Sequence, residues 1–489
     1  MASLHSLSPQ GLWSWFETIC SIPHPSKREL ALRDHIQQWA EQQSIDHRLD
    51  RVGNLILSKP ASPGMADRKG VILQAHLDMV PQKNAGTAHR FDRDPIRPYI
   101  VSEADGDWVT ATDTTLGADN GIGMASALAV LADNTIEHGP LEVLLTIDEE
   151  AGMTGAFGLE AGLLQGEILI NTDSEEEGEI YMGCAGGIDV QLELPVTREA
   201  LPAGYQTVEL ALTGLKGGHS GVDIHTGRGN ANKLLARFLF GHAFELGLRL
   251  IHLKGGSLRN AITREAYATV AVAPEQRAEL ERLVSHYQGL LRGELAAIET
   301  ELCFTLSDVA AAEQVFEAEA QRRLLALLHA APHGVIRMSD AFPGVVETSL
   351  NMGVVKTGSD SVQVLCLIRS TVDSGRAMVV NMLQALAQLA GAHCSDSGAY
   401  PGWNPDPSSP IMAVVRETYQ GLFGSLPSIQ VIHAGLECGL FKEPYPALDM
   451  VSIGPTIRFP HSPDEKVHID SVAKYWQLLL AVLKAIPAR

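Results

Sequence analysis

Short apolar runs that stop at polar side chains recur in the first third of the chain. Val71–Ala75, Leu141–Ile147 and Glu167–Ile170 are almost wholly apolar and too short for an ordinary helix, so they predict strands buried on both faces. Leu12–Ile19 and Leu30–Trp39 instead carry apolar residues at helical spacing and predict amphipathic helices. Strands mixed with helices in this way predict an α/β domain built on a central sheet.

Each of the three predicted strands ends at acidic or imidazole side chains. The carboxyl ends of neighbouring strands in an open α/β sheet meet at one edge, so we expect these side chains to lie close together. Carboxylates and imidazoles are ligands of divalent cations, and their repetition predicts a metal site. They are His76 and Asp78 after the first strand, Asp148, Glu149 and Glu150 after the second, and Asp173 after the third.

A glycine-rich segment, Thr114–Gly123, leads into a predicted helix at Met124–Ala132. Its glycines let the backbone approach another group closely, as in nucleotide-binding loops. The segment lacks the Gly-x-Gly-x-x-Gly pattern, no Lys-Ser or Lys-Thr pair follows it, and the carboxylate of Asp119 would repel a phosphate. The pattern therefore argues against a nucleotide site.

The pattern of predicted helices and strands changes after residue 186. Strands alternate with longer helices, one of them predicted at Glu313–Leu328, until the α/β pattern resumes near residue 400. We therefore predict a discontinuous catalytic domain of residues 1–186 and 400–489, which carries an inserted α+β lid of residues 187–399. Lys83–Asp113 is polar and rich in Asp and Pro, and it predicts an irregular surface excursion.

Composition narrows the classes of partner. The 489 residues include 37 basic and 58 acidic side chains, a formal charge of −21, which repels nucleic acids and anionic membrane surfaces. No apolar run reaches the roughly 18 residues of a membrane span, and the start carries no export signal. Six scattered cysteines form no Cys-x-x-Cys pair. These features favour a cytoplasmic protein without a thiolate zinc site.

Several motifs in the same order resemble the di-metal clan of aminopeptidases, carboxypeptidases and aminoacylases. More narrowly, three segments resemble the bacterial aminoacyl-histidine dipeptidases, also called cytosol non-specific dipeptidases. Those segments are Asn171–Glu176, His433–Gly439 and Pro460–Glu465. The clan motifs are His76-Leu77-Asp78, Gly117-Ala118-Asp119-Asn120-Gly121, Glu149-Glu150, Asp173 and His461.

The resemblance implies two divalent metal ions per subunit, zinc first, with cobalt or manganese as alternatives. Asp119 would bridge the ions, Asp78 would orient His76, and Glu149 would act as general base and acid on a metal-bridging water. Asp148 adds a third acid where the clan has a neutral residue, and we expect it to point away. The implied ligands are His76, Asp119 and Asp173 for one ion, and Asp119, Glu150 and His461 for the other.

Four residues outside the metal set complete the implied site. His219, in Gly217–Gly221, resembles the histidine that stabilises the oxyanion in the clan, often from across a dimer interface. Asn260 and Arg369 resemble substrate-binding residues, and an arginine suits a bidentate grip on a C-terminal carboxylate. Gly435 lies in a loop that the clan uses near the substrate backbone. The resemblance also implies a homodimer formed through the lid.

The resemblance thus implies a metallodipeptidase that hydrolyses unblocked dipeptides of broad sequence, including Xaa-His and β-alanyl-histidine. Two alternatives remain open at this point. One is another enzyme of the clan, an N-acyl amino acid amidohydrolase or a carboxypeptidase, because spacing does not show whether a free amine is required. The other is a binding protein that keeps the fold without activity, which the intact set of metal and acid residues argues against.

Overall fold

The structure is a computed structural model that describes residues 4–489. Its α-helices are α1 Gln10–Ser21, α2 Leu30–Gln42, α3 Ala118–Ala132, α4 Glu149–Gly152, α5 Thr154–Phe157, α6 Ala231–His242, α7 Arg277–Glu294, α8 Ala318–Ala330, α9 Asp373–Ala390, α10 Pro410–Phe423, α11 Glu437–Phe441 and α12 Ile469–Ala485. Short 3-10 helices span Leu4–Ser6 and Pro274–Gln276. No helix within residues 4–489 is both long and apolar enough to cross a membrane.

The longest strands of the described chain lie between residues 186 and 370. The strands are β1 Asp46–Leu49, β2 Leu55–Lys59, β3 Val71–His76, β4 Tyr99–Glu103, β5 Gly106–Thr110, β6 Leu141–Thr146, β7 Ile168–Asn171, β8 Glu179–Cys184, β9 Gly186–Pro195, β10 Arg198–Ala200, β11 Gln206–Thr213, β12 Gly218–His219, β13 Arg249–Gly255, β14 Ala261–Ile262, β15 Ala266–Val272, β16 Cys303–Asp308, β17 Gln314–Phe316, β18 Gly334–Met338, β19 Val346–Thr357, β20 Ser361–Ser370, β21 His393–Tyr400, β22 Ser428–Ile432, β23 Asp449–Ser452, β24 Ile457–Arg458 and β25 Lys466–His468.

The described chain divides into two compact units. The terminal unit comprises residues 4–183, Trp403–Val431 and Leu436–Arg489. The inserted unit comprises Cys184–Gly402 together with the four residues Ile432–Gly435. The second segment of the inserted unit is short and far away in sequence, so the periodicity of the chain gave no sign of it.

An eight-stranded mixed sheet forms the centre of the terminal unit, in the order β1-β2-β6-β3-β7-β23-β8-β22. Strands β6, β3, β7 and β23 run parallel, whereas β2 and β8 pair with their neighbours antiparallel. Every residue of β3, β6 and β7 is buried, as their apolar sequences predict. The predicted fold class, a mixed α/β sheet flanked by helices, is confirmed.

Helices of the terminal unit pack on this sheet and on one another. Helix α1 buries Leu12, Phe16 and Ile19 and packs against α3, which packs against β3 and is buried on nearly every side because most of its residues are small or apolar. The prediction for Lys83–Asp113 is wrong in its second half. There β4 and β5 form a hairpin that extends a four-stranded sheet with β25 and β24, and Trp108 and Val109 are buried in it.

The inserted unit is an α+β unit built on a larger antiparallel sheet, in the order β16-β11-β15-β13-β19-β20-β9-β21, with β18 added against β19. Helices α6, α7, α8 and α9 contribute to its apolar core. The helix predicted at Glu313–Leu328 begins only at Ala318. Its first residues form β17 instead, because Val315 and Phe316 are buried where that strand pairs with β10.

Candidate active site

The carboxyl ends of three parallel strands place the predicted metal residues side by side. His76, the last residue of β3, stands opposite Thr146 of β6, and Gln74 stands opposite Asn171 of β7. The acids come shortly after these two neighbouring strands. Asp148 to Glu150 begin two residues after Thr146, and Asp173 lies two residues after Asn171. The register of the sheet, rather than any local motif, therefore brings these side chains to one edge.

His76 is held by Asp78, and Asp78 has a second function that the sequence did not indicate. The Nδ1 of His76 lies 3.0 Å from the backbone carbonyl oxygen of Asp78 and 3.4 Å from its carboxylate. The carboxylate accepts hydrogen bonds from the backbone N–H groups of Glu149, at 2.9 Å, and Glu150, at 3.2 Å. Asp78 thus orients the imidazole so that Nε2 faces the site, and it also fixes the segment that carries the two glutamates.

Asp119 occupies the centre of the site. Its Oδ1 lies 3.2 Å from Nε2 of His76, and its Oδ2 lies 3.2 Å from Nε2 of His461. Asp173 Oδ1 is 3.3 Å from the same atom of His76, and Glu150 Oε2 is 3.0 Å from that of His461. The two oxygens of one carboxylate therefore face two separate groups of ligand-type atoms.

Electrostatics at this edge is dominated by buried acids. Burial raises the pKa of Glu150 to about 7 and that of Asp173 to about 6, and it raises the pKa of Glu149 well above its usual range. Asp119 differs from these acids, because hydrogen bonds from the two histidines outweigh burial and lower its pKa. The carboxylates repel one another, so the site attracts positive charge.

The donor set fits divalent metal ions. Ligand atoms of His76, Asp119 and Glu150 all lie within 4.8 Å of one another. Within residues 4–489, the Oε1 of Glu150 is buried and has no hydrogen-bond partner. Mixed imidazole and carboxylate donors suit zinc, cobalt or manganese, and a buried oxygen without a partner is typical of a metal ligand. His461 is 52% exposed, so the site opens to solvent on its side.

Asp148 lies apart from the ligand atoms. Its carboxylate accepts a short hydrogen bond from the hydroxyl of Thr154, and its backbone has a positive φ of 53° in the turn after β6. Asp148 therefore stabilises the turn that leads into Glu149 and Glu150.

A buried polar layer beneath the ligands was not predicted. Glu437 is 1% exposed, and its Oε2 accepts hydrogen bonds from the amide of Gln74, at 2.6 Å, and the hydroxyl of Thr146, at 2.8 Å. The Oε1 of Gln74 accepts from the amide of Asn171, whose own oxygen accepts from the backbone N–H of Asp173. The signal was present in Gln74, since a polar residue within a buried strand requires a partner.

The inserted unit holds a buried arginine without an acidic partner. Arg369 is 6% exposed, and its guanidinium lies 3.3 Å from the hydroxyl of Ser220, 3.1 Å from that of Tyr400 and 3.3 Å from Nε2 of His219. No ion pair in the described part of the chain includes Arg369. A buried cation without a counter-ion is costly, so this geometry favours the binding of an anion.

The protonation of His219 supports the same conclusion. Its Nδ1 lies 3.0 Å from the backbone nitrogen of Val222 and accepts its hydrogen, which leaves the proton of a neutral ring on Nε2. Burial and the nearby charge of Arg369 lower the pKa of His219 to about 4, so the ring is neutral at pH 7. The Nε2–H and the guanidinium are then both donors, and each can donate to an anionic oxygen.

The remaining predicted residues of the inserted unit lie on connecting segments. Asn260 is exposed just before β14, and its carbonyl accepts from the N–H of Ser220, so the pairing of β12 with β14 brings it beside His219. Gly435 ends the short segment of this unit. In the same segment, the carbonyl of His433 lies where a Cβ on Gly221 would come within 1.8 Å, which explains the glycine at that position.

Comparison with known proteins identifies the family of this chain. The family model described as peptidase family M20/M25/M40 matches residues 72–485. The chain belongs to that peptidase family. The predicted clan resemblance is therefore confirmed, and the residues that carried it lie at one end of the central sheet of this M20 peptidase.

Two relatives are similar over the whole length of this M20 peptidase. The cytosol non-specific dipeptidase of Escherichia coli strain K12 is 61% identical over 489 residues, which are 100% of both chains. The crystal structure of aminoacylhistidine dipeptidase from Vibrio alginolyticus is 61% identical, with a TM-score of 0.92 over 100% of this chain and 99% of that one. Aminopeptidase PepT from Bacillus cereus, at 17% identity, shares the fold with a TM-score of 0.61 over 98% and 99% of the chains.

Proposed function

We propose that this M20 peptidase is a metal-dependent dipeptidase that cleaves the single peptide bond of unblocked dipeptides, including Xaa-His. The position of Asp119 carries the proposal, because its two oxygens face His76 on one side and His461 on the other, each at 3.2 Å. A carboxylate placed in this way suits a bridge between two cations. Two relatives at 61% identity, both named as dipeptidases, support the substrate class.

The proposed ligand set divides into two groups that share Asp119. His76 and Asp173 complete one group, and Glu150 and His461 complete the other. When bound, two divalent ions lower the pKa of a water molecule and polarise a peptide carbonyl. We assign zinc to these sites first, with cobalt and manganese as alternatives that the same donors accept.

Glu149 is proposed as the general base and acid. Its backbone N–H is fixed by the carboxylate of Asp78, and its neighbour Glu150 is a proposed ligand. Glu149 takes a proton from the attacking water and delivers it to the leaving amine, so that the amine departs as a neutral group. Asp78 contributes indirectly, because it orients both His76 and the segment that carries Glu149.

The inserted unit is proposed to bind the C-terminal carboxylate of the substrate and the oxyanion. Arg369 supplies the buried, unpaired guanidinium that suits a C-terminal carboxylate, and His219 supplies a neutral Nε2–H that suits the oxyanion formed during attack. Asn260 and Gly435 are proposed as further contacts to the substrate backbone. A dipeptide carries both an amine and a carboxylate, so an inserted unit that recognises both ends would select substrates by length.

Two further features complete the proposal. We place the enzyme in the cytoplasm, because the Escherichia coli relative is named for the cytosol. We also propose a homodimer formed through the inserted unit, whose helix α9 exposes Met378, Met382 and Leu389.

A substrate panel with the full-length chain tests the function. The chain is stripped with a chelator and reloaded with zinc, cobalt or manganese, and Gly-His, β-Ala-His, Leu-Gly, a tripeptide and an N-acetylated amino acid are followed by chromatography. We expect metal-dependent cleavage of the free dipeptides alone. Cleavage of only the acetylated compound would assign an amidohydrolase instead, and inactivity with all three metals would favour a binding protein.

A further inference from the structure

Glu465 is a buried residue whose carboxylate accepts hydrogen bonds from backbone N–H groups. It is 2% exposed, and its Oε2 accepts from the N–H groups of Leu116, at 2.9 Å, and Gly117, at 3.2 Å. Its Oε1 accepts from the N–H groups of Ala118, at 2.7 Å, and Asp119, at 3.4 Å. Four consecutive peptide groups of one loop therefore converge on a single side chain.

This loop carries the proposed bridging ligand, and it is not regular helix. Gly117 has a positive φ of 75°, and Asp119 has the extended angles φ −85° and ψ 109° although it lies at the start of α3. Its N–H groups are therefore not all satisfied within the helix. The carboxylate of Glu465 accepts them and thereby fixes the backbone from which the side chain of Asp119 projects.

Glu465 also belongs to the segment that carries His461. Its own N–H donates to the carbonyl of Ser462, at 3.0 Å, and its carbonyl accepts from the hydroxyl of Thr110, at 2.8 Å. Glu465 thus links the loop of Asp119 to the loop of His461. Asp119 and Glu465 are 346 residues apart in sequence.

Charge balance does not explain an acid at this position. Glu465 lies near the negative charge of Asp119, which is unfavourable, and its bonding partners are neutral peptide groups. A carboxylate is favoured because each of its two oxygens can accept two hydrogens, whereas an amide side chain offers only one such oxygen.

We propose that Glu465 is a positioning residue of the metal centre, which holds the loops of Asp119 and His461 in register so that both side chains reach the same ion. The proposal rests on the ligand set given under the proposed function. Groups that orient metal ligands typically account for about 10 to 100-fold in metal affinity.

The test compares Glu465→Gln and Glu465→Asp with a matched control, Glu142→Gln. Glu142 is 7% exposed in the same unit, and its Oε2 accepts from the N–H groups of Gln165 and Gly166, both at 2.8 Å, at the opposite end of β6 from the ligands. For each full-length variant, zinc affinity is measured by chelator competition, thermal stability without metal by circular dichroism, and kcat and KM with Leu-Gly at increasing zinc.

We expect Glu465→Gln to bind zinc about 10 to 100-fold more weakly, with kcat recovered by excess zinc and KM unchanged within about twofold. Glu465→Asp, which keeps the charge but is one methylene shorter, should fall between. Glu142→Gln should lose stability and keep its zinc affinity. If wild-type chain binds zinc and cleaves Leu-Gly while both Glu465 variants keep wild-type zinc affinity, or lose only stability as the control does, the positioning role is wrong and the proposed function stands. Should Glu465→Gln fail to fold, the zinc affinity of Glu465→Asp decides in the same way.

Discussion

The two units bury charge of opposite sign, and in neither is it balanced by the protein alone. In the terminal unit, Glu149, Glu150 and Asp173 crowd around two histidines, and burial raises the pKa of each acid. In the inserted unit, Arg369 is buried against hydroxyl groups and His219, without a carboxylate. Each unit therefore lacks a counter-charge that a ligand can supply: cations for the first and an anion for the second.

The opposite charges of the two units separate metal binding from recognition of the substrate carboxylate. Excess acid at a strand end suits metal ions, and changes there should alter metal content and kcat. An unpaired guanidinium suits a substrate carboxylate, and changes there should alter KM while the metal content stays fixed.

Glu149→Gln should have the largest effect. The amide keeps the size of the side chain but cannot accept the proton, so kcat should fall by about a thousandfold or more while KM stays near its original value. Metal analysis should still find two ions per chain. Glu160→Gln is the control, since Glu160 pairs with Arg51 at the surface of the same unit. More than a tenth of wild-type kcat in Glu149→Gln would remove it from the role of general base.

His461→Ala should have the next largest effect, through metal content. His461 approaches both Asp119 and Glu150, so its loss should empty one of two metal sites and lower kcat by about a hundredfold or more. Metal analysis after gel filtration gives the stoichiometry, and His35→Ala, an exposed histidine on α2, serves as the control. Two full ions in His461→Ala would overturn the ligand assignment.

The sequence pointed to three of the proposed metal ligands because each stands at the end of a strand that its own composition reveals. Buried apolar runs predicted β3, β6 and β7, and their shared direction then brought His76, Glu150 and Asp173 to one edge. The family resemblance added Asp119 and His461, which no local pattern connects.

Local sequence patterns could not predict the roles of residues whose hydrogen-bond partners are distant in sequence. Glu437 bonds to Gln74, 363 residues away in sequence, and Glu465 bonds to a loop almost as distant. Both stand in segments that the sequence singled out, yet periodicity does not show what a buried carboxylate accepts. The hairpin of β4 and β5 was missed for a similar reason, because it is stabilised by β25 near the end of the chain.

Arg369→Lys should affect recognition of the substrate carboxylate and leave metal binding unchanged. Lysine keeps the charge but loses the planar fork, so KM for Leu-Gly should rise by about 10 to 100-fold with two metals retained. The C-terminal amide of the same dipeptide, which lacks the carboxylate, should be cleaved equally poorly by wild type and variant. Arg237→Lys, at an exposed pair with Glu294, is the matched control. An unchanged KM, or loss of metal, would contradict a role confined to the substrate carboxylate.

The smallest expected effect is on stability in acid. Burial, with the charge of Arg369, lowers the pKa of His219 to about 4 in the folded chain, below its usual value of about 6.5. Between pH 4 and pH 6.5, unfolding of the chain therefore takes up a proton on the His219 ring. The contribution of His219 to stability is complete above pH 6.5 and is lost as the pH falls towards 4. Between pH 7 and pH 5, wild type should lose roughly 1 to 2 kcal/mol more than His219→Gln in urea unfolding of the metal-free chain. His35→Gln, with an exposed histidine, should follow wild type. Parallel curves for wild type and His219→Gln would mean that His219 is not held neutral by its surroundings, and the donor role of its Nε2–H would lose its support.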